Sequence, residues 1–159
     1  METSAGLIVW IGALIGAFIV GVIIGYMVRP RIPGWTPPKV TRIGPDDSTF
    51  AHSHDCPIWA ELDQEMDLSS INSNTVIVKA YPNDNETPVP GSIVAGTRVL
   101  MFLPQGDYPT GTGDTVVRMT LIGDDTGSGA IKSKIGVALD GDGDNKAGGD
   151  YVHDFQIPG

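Results

Sequence analysis

Residues 6–28 read GLIVWIGALIGAFIVGVIIGYMV, 23 residues without a charged side chain. No other feature narrows the options for this chain as much. As a helix rising about 1.5 Å per residue, the run reaches roughly 35 Å, enough to cross a hydrocarbon core of about 30 Å with some tilt. A helix on the surface of a soluble core would keep a polar face, and this run has none. A cleaved secretory signal would need a basic start, a shorter apolar core and a small-residue cleavage site. Here the start is METSA and the run leads into MVRPR. The expectation is a retained N-terminal transmembrane helix within residues 1–28, spanning about 6–28 and in contact with the lipid bilayer.

The run has internal pattern. Gly12 and Gly16 form one GxxxG, Gly21 and Gly25 a second, and Ala13, Ala17, Gly21 and Gly25 keep strict four-residue spacing. Small residues at that spacing let a second helix backbone approach closely, which in lipid takes the place of a hydrophobic drive. This pattern predicts docking on other transmembrane subunits of a membrane complex, although glycine and alanine are frequent in membrane spans generally. Trp10 and Tyr26 stand near the two ends, where amphipathic rings favour the headgroup level.

Residues 29–43 are proline-rich, and the stretch through Pro45 also holds Pro30, Pro33, Pro37 and Pro38. Proline at this density excludes helix and favours an extended, semi-rigid spacer. Trp35, within it, is a further candidate for the membrane interface. Charge divides the chain at about the same place. The formal net charge of −9 hides a basic start: residues 1–42 carry four basic and one acidic side chain, and the rest six basic and eighteen acidic. A domain that acidic repels phosphate backbones, so nucleic acid is not an expected partner. A single cysteine, Cys56, excludes an intrachain disulfide framework.

Beyond the linker the helical period disappears. PIWAEL, TVIVKAY, GSIVAG, RVLMFLP, TVVRMTLIG and DYVHDFQI are short apolar runs separated by Gly, Pro, Asn and Asp. Several alternate with period two: Val117, Met119 and Leu121 oppose Arg118 and Thr120, and Tyr151, Phe155 and Ile157 oppose Val152, Asp154 and Gln156. Half-buried strands punctuated by turns predict an antiparallel β-sandwich over residues 44–159. The one helical signal is MDLSSIN, where Asp67 is placed to cap a single turn.

The order of these pieces resembles the bacterial Ig-like domains of the S-layer-protein type (SbsA-like). The resemblance rests on PIWAELDQEMDLSSINSNTVIV (57–78), MFLP (101–104), VVRMTLIG (116–123), IKSKIGVAL (131–139) and DYVHDFQI (150–157), and covers about residues 44–157. It implies an all-β Ig-like antiparallel sandwich, preceded here by one transmembrane α-helix and a Pro-rich linker, and it implies no enzymatic activity. Val117 stands where many members carry an aromatic residue and His153 where many carry Trp. The core is therefore expected to be less aromatic, with His153 facing inward as a hydrogen-bonded core residue. Such domains usually work outside the cytoplasmic membrane. The basic residues Arg29 and Arg31 favour a cytoplasmic domain by the positive-inside rule, but long domains translocate despite flanking charge. The expectation is a single-pass protein of the bacterial inner membrane with a periplasmic C-terminal domain.

No G-x-S-x-G, H-E-x-x-H, C-x-x-C-H or phosphate-cradling glycine loop occurs. Two clusters offer metal donors. In HSHDC, alternation along an extended segment would put His52, His54 and Cys56 on one side, a donor set suited to zinc or copper but short of a closed shell. In DGDGDNKAGGD, Asp140, Asp142 and Asp144 occupy positions 1, 3 and 5 of a calcium loop, and Asp150 falls one residue before position 12. Asn145 replaces the position-6 glycine and tolerates a left-handed backbone better than most residues. Tyr151 takes the place of the bidentate Glu, so this is not an EF-hand. Two readings stay open: an irregular calcium turn in a β-hairpin, or a solvated turn. Calcium is the one cofactor expected.

The functional expectation is a non-enzymatic accessory subunit, docked by its helix in a larger membrane complex of respiratory or photosynthetic type, whose Ig-like domain braces extrinsic protein partners. The alternatives are a free-standing cell-envelope or adhesion module, a viral envelope component, and a metal-binding accessory protein using His52, His54 and Cys56.

Overall fold

Period-two alternation of apolar and polar residues fixes which side of the longer strands is buried, and the domain has eight strands in all. In the computed structural model, which describes residues 35–46, 52–124 and 129–159, they are β1 (Val40–Gly44), β2 (Ile58–Leu62), β3 (Val76–Tyr81), β4 (Thr87–Pro88), β5 (Gly91–Ala95), β6 (Val99–Pro104), β7 (Thr115–Leu121) and β8 (Tyr151–Ile157). They form two four-stranded antiparallel sheets, ordered β1-β2-β6-β5 and β4-β3-β7-β8. The β domain lies in the unit Thr36–Gly159. β1 therefore uses residues that composition alone assigned to the linker: Val40 pairs with Leu62 and Gly44 with Trp59.

The inward residues of both sheets meet in one core. Ile58, Ala60, Leu100 and Phe102 come from the first sheet, and Val78, Val117, Met119, Leu121, Phe155 and Ile157 from the second. The fold is an all-β antiparallel sandwich. Val117, Met119 and Leu121 are fully buried, as their alternation predicts. His153 pairs with Met119 across β7 and β8, is half-buried, and bonds the Pro45 carbonyl through Nε2 at 2.7 Å. Tyr108, buried in a Gly- and Pro-rich stretch, donates its hydroxyl to the Cys56 carbonyl at 2.6 Å and packs edge-on against Phe155.

Helix is limited to two short 3-10 turns among the described residues. The first, Leu68–Ser70, is capped by Asp67, whose carboxylate accepts from the Ser69 amide at 3.0 Å. The stretch IKSKIGVAL does not form a strand. It folds back on itself through a bridge between Lys132 and Ala138, burying Ile131 and Leu139.

The expected transmembrane helix lies outside the described residues, and with it Gly12, Ala13, Gly16, Ala17, Gly21, Gly25, Trp10 and Tyr26. Among the described residues no helix is long and apolar enough to cross a membrane. Trp35 is described and is 64% exposed.

Candidate functional site

The aspartate-rich loop hangs between the fold-back Ile131–Leu139 and β8. Its base is closed by backbone bonds: the Gly148 amide donates to Leu139 O at 2.8 Å and the Gly141 amide to Gly148 O at 3.2 Å. Gly141 has to be glycine, because a Cβ there would run into the Gly149 carbonyl and the Tyr151 amide. Asn145 takes a left-handed φ of 67°, as its place in the loop predicts.

Side chains within the loop turn its amides inward. Asp140 Oδ2 accepts from the Asn145 amide at 3.0 Å, Asp142 Oδ1 from the Asp144 amide at 3.3 Å, and Asp144 Oδ1 from the Lys146 amide at 2.8 Å. Asp140, Asp142 and Asp144 each bring one carboxylate oxygen to within 4.8 Å of the other two. Asp150 does not join them. Its Oδ1 accepts from the amides of Gly123 and Asp124, at 3.0 and 3.3 Å, and so fastens the exit of β7 to the entry of β8.

Two ammonium groups reach the cluster. Lys146 Nζ lies 2.8 Å from Asp144 Oδ2, and this contact holds the Asp144 carboxyl below its usual range and raises Lys146. Lys39 Nζ donates to Asn145 Oδ1 at 2.7 Å and lies 3.3 Å from Asp140 Oδ2. Lys39 was not legible as part of the site, because it stands just before β1, far from the loop in sequence. The backbone repeats the link: the Asp140 amide donates to Pro38 O at 2.9 Å.

The histidine and cysteine cluster folds differently from its sequence expectation. The segment is a turn, closed by the Cys56 amide on Ser53 O at 3.1 Å, and not an extended run. His52, His54 and Cys56 are all half-buried, but their donor atoms do not converge. Among the described residues the one group of three or more such donors is the aspartate triad. His52 bonds the Asp46 carbonyl at 2.9 Å and meets Phe155 edge-on. Burial pushes the Cys56 thiol above its ordinary pKa.

The two sheets differ on their outward faces. On β3, β7 and β8 a central charged row, Lys79–Arg118–Asp154, runs between the rows Ile77–Thr120–Val152 and Tyr81–Val116–Gln156. Arg118 holds Asp154 through two bonds of 2.7 Å, Nε to Oδ1 and Nη2 to Oδ2, and lies over the Tyr81 ring; Lys79 meets Glu86 at 2.6 Å. On β2, β6 and β5 the register sets Trp59 beside Met101 and Met101 beside Val94, with Val99 and Leu103 flanking the row. Val94 is 55% exposed and Val99 38%. Arg42 edges this face, its guanidinium 5.7 Å from the Trp59 ring centre and 3.6 Å from Glu61.

No family model matches the chain, and no curated protein matches it. Among solved structures, the N-terminal part of the bacterial S-layer protein SbsC is similar, with a TM-score of 0.47 and 8% sequence identity. The match covers 76% of this chain and 23% of that one.

Proposed function

We propose that this chain is a non-enzymatic structural subunit, anchored in a bacterial inner membrane by residues 6–28, whose periplasmic Ig-like domain braces an extrinsic protein partner. The observation that carries the reading is the outward face of the sheet β1-β2-β6-β5. An antiparallel sheet with one face on the core usually turns a polar face to water. Here Trp59, Met101, Val94, Val99 and Leu103 come together across three strands. An apolar, aromatic-bearing centre with a charged margin (Arg42 and Glu61) has the make-up of a protein-binding patch. The outward face of the other sheet is crossed at its centre by the charged row Lys79–Arg118–Asp154, which separates Ile77 and Val152 from Tyr81 and Val116, and this contrast supports contact through the first face.

The GxxxG pattern at Gly12, Gly16, Gly21 and Gly25 supports the companion reading, that the anchor docks on neighbouring membrane helices. Purification of the full chain from native membranes in a mild detergent tests the subunit reading. Stoichiometric co-purification with other membrane proteins is the expected outcome, and a solitary monomer contradicts it.

A further inference from the structure

We propose that Asp140, Asp142 and Asp144 form a calcium site, and that the ion competes there with the Lys39 ammonium. An exposed acidic cluster would not by itself point to a ligand. Asp140 does. Its side chain is 0% exposed, and it is the one buried charged residue among the described residues. Its Oδ2 is held by the Asn145 amide and by Lys39, but Oδ1 is buried with no hydrogen-bond partner. A buried carboxylate oxygen left without a partner is costly, and native folds almost always satisfy such atoms. Asp142 and Asp144, both exposed, each bring a carboxylate oxygen within 4.8 Å of one carboxylate oxygen of Asp140. A cation taking Asp140 Oδ1 together with an oxygen each of Asp142 and Asp144 would supply the missing partner and relieve the repulsion among the three carboxylates.

The donor set selects the ion. Three carboxylates on a glycine-rich loop are hard oxygen ligands with adjustable geometry, which suits calcium. Magnesium demands a near-ideal octahedron at shorter distances, and zinc favours nitrogen and sulfur. Two lysines already share the charge of the cluster. Lys39 is 38% exposed and Lys146 82% exposed at the side chain, so both can swing into water when an ion arrives. Their competition places the affinity in the weak range of extracellular modules, about 0.1–1 mM. Lys39 enters β1, and its neighbour Pro38 accepts from the Asp140 amide at 2.9 Å, so the ion would also reset how the loop grips the start of the domain. The inference rests on the loop alone and stands independently of the partner reading of the sheet face.

Calorimetric titration of the full chain in detergent with calcium chloride, and with magnesium chloride in parallel, tests it. The expected result is one calcium per chain with a Kd of about 0.1–1 mM, and a melting temperature that rises with calcium. Asp142→Asn and Asp144→Asn change exposed side chains and should leave the fold intact while weakening binding about tenfold or more. Lys39→Met removes the competing ammonium and should tighten binding about three- to fivefold, the scale of a partly exposed ion pair. The site is overturned by any of three results: no binding at about 10 mM calcium, an equal response to magnesium, or unchanged binding in both Asp→Asn variants. Unchanged affinity in Lys39→Met overturns the competition.

Discussion

Tyr108 shows how one side chain joins loop to core. Its ring is buried against Phe155, and its hydroxyl reaches the Cys56 carbonyl at 2.6 Å. Burial pushes the phenol well above its ordinary pKa, so the group stays a donor. Tyr108→Phe keeps the ring and strands the carbonyl, and should lower unfolding free energy by about 1–2 kcal/mol in a denaturant melt. Asp154 gives a pH-dependent counterpart. Hydrogen bonds from Arg118 hold its carboxyl below the usual range, so its folded pKa lies under its unfolded value. The stability it contributes is present above about pH 4 and is lost as the pH falls through the lower folded value. The pair is about two-fifths exposed, so Asp154→Asn should cost no more than about 1 kcal/mol at neutral pH. The gap between wild type and variant should narrow steadily in melts as the pH is taken below the ordinary aspartate range. Some residue-scale detail was legible: Asp67 caps its turn, Asn145 takes the left-handed backbone, and His153 faces inward with a hydrogen bond. Tyr108 was not, because an aromatic residue set among Gly, Pro and Asp gives no periodic signal of burial.

At the scale of elements, alternation predicted β2, β3, β6, β7 and β8, whose inward residues fall at every second position, and β5, where Ile93 and Ala95 alternate but are only partly buried. Leu100 shows the consequence. It is fully buried on β6, and both of its cross-strand partners, Ala60 and Ala95, are too small to fill the space it would vacate. Leu100→Ala should destabilise the domain by about 3–5 kcal/mol, read by chemical denaturation. β1 and β4 were missed for physical reasons. β1 buries little on its own and exposes Thr41 and Arg42, and its pairing with β2 shifts register between Val40 and Arg42. β4 is two residues long and holds Pro88, a residue that sheets admit at their edges. The aspartate loop was legible as a cluster and as a turn before the closing strand. Its membership was not, because the departure of Asp150 to Gly123 and the arrival of Lys39 are tertiary facts. The loop also depends on close backbone approach at Gly141. Gly141→Ala should cost about 1–3 kcal/mol by overpacking, seen as a lower melting temperature.

At the scale of the whole molecule, the two outward faces of the sandwich set its proposed role. Alternation in the sequence separates inward from outward residues. It does not say which outward residues become neighbours, and the row Trp59–Met101–Val94 exists only because of the register of three strands. Val94 on that face and Val152 on the outward face of the other sheet are almost equally exposed, at 55% and 50%, so a probe at either position meets solvent alike. What separates them is the surroundings: Val94 shares its row with Met101 and Trp59, whereas Val152 shares its row with Thr120 and Ile77 and has the charged row Lys79–Arg118–Asp154 next to it. The most direct test of the bracing role is site-specific photocrosslinking in native membranes, with the probe placed at Val94 in one strain and at Val152 in another. A discrete protein adduct from Val94 with none from Val152 is the predicted result. Equal crosslinking from both positions, or none from Val94, would contradict it.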